Sequence, residues 1–386
     1  YEANQLRMKV KKPDIRPSHS RVFIQTESHI VLNMPISLLS NNGSVSFNKN
    51  LKLGERLFDM DIFQAKEMVK KLLDMQPAGF RITFSKIRSF AASMFDNHST
   101  DSAIGALIFD GVTPIQKTVR HYLTISSSHL RDQYELALSK SGFRFPSVSK
   151  RLRNQSSNKF VGTDYCLKNS RLQSWIKDIL KKLGEYPASR EQVIAYHNAY
   201  TLYTIMMFSH AALWRGSKTP IPDNYRSECG FILMNDKAIG DGYSIRLNPL
   251  PADVLEQIHN YMDHASRVKA VLNITSPKIM KPSSDFFLLT ELGKPRAVRA
   301  GLLMNVSPRF PGRRNALRIH MRSRLSQLDI PGEFLDAVMG HWQNGIEPYS
   351  CYSSFSPNLI REKVLPAIKM VMKESGWAPI KSLVLS

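Results

Sequence analysis

Two tyrosines stand close behind a glycine-histidine pair in the stretch MGHWQNGIEPYSCYSSFS, Met339 to Ser356. A phenol becomes a nucleophile once it gives up its proton, and covalent attack splits one hard step into two easier ones. Further upstream lie cations that suit an anionic substrate. Arg215 leaves the end of YTLYTIMMFSHAALW, a run apolar on nearly every side. A guanidinium issuing from such a run needs a partner, either a structural carboxylate or a bound anion gripped by its fork. Lys237 sits at the edge of the Gly-rich turn in CGFILMNDKAIGDGYSIRLNPLP, from which an ammonium reaches into a groove. In GRRNALRIHMRSRLSQL, Arg314, Arg318 and Arg322 form a row beside the apolar stripe of Leu317, Met321, Leu325 and Leu328. The middle arginine can face inward while the outer two meet phosphates, or the whole row can be a solvated face. Taken singly, each of these residues fits a structural role as well as a chemical one.

Several elements must position them. Apolar spacing predicts helices over 171–183, 189–213, 252–264, 313–328, 332–339 and 357–376, with a strand pair within 230–248. The helix over 332–339, with Phe334/Val338 and Leu335/Met339 one turn apart, ends at Gly340 and sets His341 at its tip. Pro348 and Pro357 forbid a continuous helix through the tyrosines. The last helix carries Leu359, Ile360, Val364, Leu365, Ile368 and Val371. That face suits docking on a neighbouring protomer or packing on its own domain.

The wider chain is α+β and mainly helical. Residues 1–55 form an N-terminal segment of basic patches and short apolar runs, with a turn at Asn41-Asn42-Gly43. A small basic helical domain spans 56–145, a Ser-, Lys- and Arg-rich linker spans 146–164, and a mixed domain with a small antiparallel hairpin spans 165–386. Across 386 residues, 53 Lys and Arg oppose 32 Asp and Glu, for a net charge of +21. An excess of that size, spread over the length, points to a polyanionic partner, with nucleic acid ahead of an anionic membrane surface. No apolar run approaches the ~18 residues of a membrane span, and no strong amphipathic basic helix supports membrane docking. Cys166, Cys229 and Cys351 share no disulfide-like or metal-like spacing and fit reduced thiols in a cytosol. Starting at Tyr1 rather than Met, the chain is expected to be part of a longer one.

The order arginine, hairpin lysine, arginine, Gly-His and tyrosine resembles the tyrosine recombinase (phage integrase) family, whose catalytic domain is shared with type IB topoisomerases. The resemblance covers roughly residues 165–386. Arg215 and Lys237 match the first arginine and the β-hairpin lysine; NALR matches His-x-x-Arg, giving Arg318; MGHW gives His341. Asn315 replaces the usual histidine and can still donate a hydrogen bond to a phosphate oxygen. The usual nucleophile position, nine residues after the Gly-His histidine, is Ser350. Tyr352 is the favoured nucleophile, with Tyr349 the alternative, because GIEPYSCYSSFS looks like the insert and Tyr-Ser-Ser-Phe-Ser of transposon-borne members.

What the resemblance implies is a site-specific DNA recombinase working through a 3′-phosphotyrosine, with no metal, cofactor or ATP. Arg215, Arg318, His341 and Asn315 would stabilise the transition state, and Lys237 would act as general acid. The helical domain would be the core-binding domain. The implied partners are double-stranded DNA with a specific site, a homotetramer on synapsed DNA, and an accessory bending or directionality protein, in a cytoplasmic, nucleoid-associated setting. Same-chemistry alternatives are a type IB topoisomerase or telomere resolvase, and a different class is an inactive DNA-binding relative. Lys86, Arg88, Lys117, Arg120, Lys150, Arg151, Arg153, Arg314 and Arg322 are the candidate phosphate contacts, which position a protein on DNA without reading sequence.

Overall fold

The computed structural model describes residues 5–9, 21–27, 29–33, 62–74, 101–108, 120–144, 159–215, 225–226, 230–235, 245–274, 286–313, 315–328, 330–342 and 353–384, and single positions 83, 86, 89, 93, 95 and 348. It is α+β and mostly helical, with small antiparallel sheets. Two compact units divide the chain. One is Tyr1–Lys12, Thr26–His121 and Ile125–Gly162; the other is Pro13–Gln25, Tyr122–Thr124 and Thr163–Ser386.

In the first unit β1 (Gln5–Lys9) pairs antiparallel with β2 (His29–Asn33), Arg7 opposite Val31. Its described helices are α1 (Ile62–Asp74), α2 (Ser102–Ile108) and α3 (Ser127–Lys140), the last following the short strand β3 (Thr124–Ser126), whose first residue is counted with the second unit. Ser126 caps α3, its hydroxyl accepting the His129 N–H at 3.2 Å. Ala103, Ile104, Ala106, Leu130 and Ala137 are buried. Strand β4 (Phe160–Gly162) closes the unit's sequence.

The second unit is organised around one helix. Its elements run α4 (Asn169–Leu183), α5 (Arg190–Ala211), β5 (Tyr225–Arg226), β6 (Phe231–Asn235), β7 (Ile245–Pro249), α6 (Ala252–Val271), β8 (Phe287–Leu289), β9 (Pro295–Ala297), α7 (Ala300–Leu303), α8 (Ala316–Leu325), α9 (Gly332–Met339) and α10 (Pro357–Ser375). A capping box of Ser189 and Gln192 starts α5. From Ala199 through Phe208 every side chain on α5 is buried, which an apolar face on all sides requires. Helices α4, α6, α8 and α10 pack around it. Strands β5, β6 and β7 form an antiparallel sheet in that order, with Leu233 opposite Leu247.

Several boundaries differ from the periodicity reading. The helix expected over 313–328 is Ala316–Leu325, because Asn315 leaves helical geometry at its start. The helix expected to stop at 264 continues to Val271, since Ala265 and Val268 carry on its buried face. The β8–β9 hairpin and α7 were not anticipated; runs of three or four residues carry too little periodicity to read. Helix α10 buries Ile360, Val364, Ile368, Val371 and Met372 in the core of its own unit, with Leu359 exposed.

Candidate active site

Two helix ends converge here. Helix α5 stops at Ala211, and Leu213 takes the left-handed region at φ 51. Trp214 is buried, so the half-buried Arg215 emerges from a fixed anchor. Helix α9 stops at Gly340, also left-handed, at φ 67 and ψ 38. The His341 N–H then donates to the Asp336 carbonyl at 2.9 Å, which ties the turn back onto the helix. Glycine suits 340 for its φ, and a Cβ there would crowd the Arg246 Cδ at 3.1 Å.

Buried guanidiniums join these ends. Arg318 Nη1 donates to the Leu213 carbonyl at 2.5 Å and Nη2 to the Met339 carbonyl. Its guanidinium carbon also lies 5.3 Å from the Tyr122 ring centroid, within cation–π range. Arg246, on β7, donates to the Val338 and Leu213 carbonyls, the latter at 3.2 Å. Arg322 follows Arg318 by one turn of α8, and its Nη2 lies 4.0 Å from Asp336 Oδ1. Helix C-terminal carbonyls lack partners within their own helix and carry partial negative charge, so guanidiniums there are both bonded and partly neutralised.

His341 lies within this cationic setting. It is 6% exposed, its ring centroid 5.1 Å from that of Tyr122. Neither Nδ1 nor Nε2 has a hydrogen-bond partner among the described residues; the same holds for Arg215 Nε and Asn315 Oδ1. Burial first, then the charges of Arg318, Arg322, Arg246 and Arg215, holds the imidazole well below its ordinary pKa. His341 is therefore neutral at neutral pH, with one ring nitrogen a donor and the other an acceptor. An unpartnered buried polar atom costs about 1–3 kcal/mol, so this arrangement opposes stability. A tetrahedral anion would reverse that, accepting from guanidinium and imidazole while raising the imidazole's basicity.

Of the residues expected from the sequence, Arg318, His341 and Arg215 come to one place, with Asn315 just before α8. Lys237, Tyr349 and Tyr352 lie outside the described residues, as do Arg88, Lys117, Lys150, Arg151, Arg153, Arg314, the turn at 41–43 and most of the linker. Lys86 is exposed, and Arg120 begins a short 3₁₀ turn ending at Tyr122. Arg322 corrects the sequence reading. As a row member beside an apolar stripe it is expected to meet phosphates, yet its side chain is fully buried. The reason is that every α8 side chain from Ala316 to Ser323 is buried, Arg318 and Arg322 among them.

Three further contributors carry no clear signal in the sequence: Arg246, Asp336 and Tyr122. An arginine alternating with Asn248 in the otherwise apolar strand IRLNP was the available signal for the first. Nothing in the sequence ties Tyr122 to a histidine more than two hundred residues later. Among the described residues no three His, Cys, Asp or Glu side chains gather as metal ligands do. In comparison with known proteins, no protein-family model matches the chain and no curated protein is significantly similar to it.

Proposed function

We propose that this chain is a site-specific DNA recombinase that cuts and rejoins strands through a tyrosyl-3′-phosphate. The observation that carries the reading is the buried, neutral His341, unpartnered at both ring nitrogens among the described residues and set among the charges of Arg215, Arg246, Arg318 and Arg322. That setting suits an anion whose negative charge grows during reaction, which the transition state of phosphodiester attack supplies.

In the proposed step the Tyr352 oxygen forms a bond to phosphorus as the bond from phosphorus to the 5′ oxygen breaks. The phenol proton leaves to His341 or solvent, and Lys237 gives a proton to the departing 5′ oxygen. Arg215 and Arg318 hold the non-bridging oxygens, while His341 and Asn315 add hydrogen bonds. Rejoining runs the step backwards, so the broken bond's energy stays in the phosphotyrosine. The wider chain's +21 charge supports a duplex partner, and we assign it a homotetramer on two synapsed sites, within the nucleoid.

The test finds the DNA site as it proceeds. A library of randomised duplexes, each with a nick beside the variable region, is incubated with the full chain. Covalent complexes are then recovered under denaturing conditions and sequenced. Enrichment of one sequence by wild type and its loss with Tyr352→Phe supports the proposal. Loss with Tyr349→Phe alone moves the nucleophile to Tyr349. No tyrosine-dependent adduct sinks the enzyme reading and leaves a DNA-binding protein. Joining of two differently labelled selected duplexes separates a recombinase from a topoisomerase or telomere resolvase, which relax or form hairpins.

A further inference from the structure

Strand β7 supplies donors to both helix ends at once. Arg246 and Asn248 stand two residues apart, so strand geometry puts them on one face. Both are fully buried. Asn248 Nδ2 donates to the Ala212 carbonyl at 2.8 Å and to the Val338 carbonyl at 2.9 Å. Arg246 repeats the bridge one step along, from the Leu213 carbonyl at 3.2 Å to that same Val338 carbonyl. Each bridged turn runs straight into a site residue: Leu213 into Arg215, Val338 into His341. Leu213 also holds a left-handed conformation that a non-glycine residue adopts only at a cost of about 1–3 kcal/mol, so something must secure it.

We propose that Arg246 and Asn248 form a clamp on β7 that fixes the spacing of Arg215 and His341, so that both meet one phosphoryl group. The clamp rests on the recombinase reading above for its chemical purpose. These are positioning residues: they bond the backbone of both helix ends, and they act through Arg215 and His341. A shift of about 1 Å at a reacting centre costs on the order of a hundredfold in rate, whereas affinity for a duplex is spread over many phosphates. The clamp should therefore show in the chemical step and hardly at all in binding.

The experiment uses the nicked duplex selected by wild-type enzyme, with single-turnover adduct formation at saturating DNA and a separate measurement of Kd. Asn248→Ala removes a neutral bridge and leaves every charge in place. It is expected to slow adduct formation about tenfold or more with Kd changed less than about twofold. Arg246→Lys keeps the charge but offers a point donor in place of a fork, so it should fail to restore the rate. Full rate in Arg246→Lys and Asn248→Ala together overturns the clamp in favour of charge alone. A weakened Kd at unchanged rate overturns it in favour of a DNA contact. Amide hydrogen exchange read at Trp214–Arg215 and Gly340–Trp342 gives an arm independent of DNA. Exchange there should quicken in Asn248→Ala while that of α5 stays as in wild type, which also reports that the variant is folded. Unchanged exchange at both ends overturns the clamp. If wild type forms no tyrosine-dependent adduct, the recombinase reading fails, and the clamp is decided by exchange alone.

Discussion

Buried histidines occur in two regions of the larger unit, and they are treated in opposite ways. Around α5 they are wired. Ser382 donates to His264 Nδ1 at 2.7 Å, His264 pairs with His197 at 3.1 Å, and His197 Nε2 donates to the Phe287 carbonyl at 3.1 Å. A second chain runs from Trp377 Nε1 to His210 at 2.9 Å and on to His320 at 3.0 Å. In these chains the ring nitrogens are spoken for, save Nε2 of His320. With Tyr203 donating to the Ala378 carbonyl at 2.6 Å, they fasten residues 377–384 to the core of their own unit. His341 is buried too but has no partner at either nitrogen among the described residues. Burial of a histidine by itself says little; a closed hydrogen-bond chain marks structure, and open nitrogens among cations mark a place for a ligand.

Acid gives the largest effect, because burial is common to both regions. His197 and His320 are pushed down to about 3 and His264 to about 2, chiefly by burial, and His210 and His341 lie well below the ordinary value. Each of these groups binds a proton more readily unfolded than folded. Their contribution is fully present above the unfolded pKa of roughly 6.5 and is lost as pH falls below it. The loss is roughly 1.4 kcal/mol per pH unit per histidine, so urea midpoints should drop steeply from about pH 6.5 to about pH 5. A flat profile over that range contradicts neutral buried rings.

The two regions part at single substitutions. Arg318→Ala should lower the rate of adduct formation about 100- to 1,000-fold, the usual cost of one transition-state donor; a change under about tenfold removes it from the reacting centre. His264→Leu strands His197 Nδ1 and the Ser382 hydroxyl and should cost about 2–3 kcal/mol of stability, read from urea unfolding. His341→Leu should go the other way, stabilising by up to about 1 kcal/mol while slowing adduct formation. If both leucine variants destabilise alike, the contrast between wired and open histidines is wrong. Smallest is the response to an anion. Sulfate should raise the wild-type Tm about 2–4 °C beyond that of Arg215→Ala at matched ionic strength, the variant correcting for sulfate's general effect. Equal rises would show that no such site exists.

Much of this was legible in the chain itself. The apolar run before Trp214 makes α5 the core, Gly340 ends α9, and the apolar runs within 230–248 give the antiparallel pair β6 and β7. Arg215, Arg318 and His341 stand out by type and order. Arg322 marks the limit of periodicity, which identifies a row of arginines but not whether another element covers it, and α8 is buried from Ala316 to Ser323. Arg246 is hidden in the sequence because one charge in a strand looks like an edge position, and only the fold brings the two helix ends to it.

What the sequence alone determined is therefore local: which segments are helical, where glycine ends them, and which residue types stand at their tips. Those outcomes depend on spacing, capping and backbone freedom, all properties of neighbours in the chain. Whether a buried histidine finds a partner was decided only in three dimensions. Ser382 reaches His264 across more than a hundred residues, and Leu213 and Met339 accept from one arginine between them. Hydrogen bonds are short and directional, so partners far apart in sequence are chosen by packing, and packing left His341 open among the described residues.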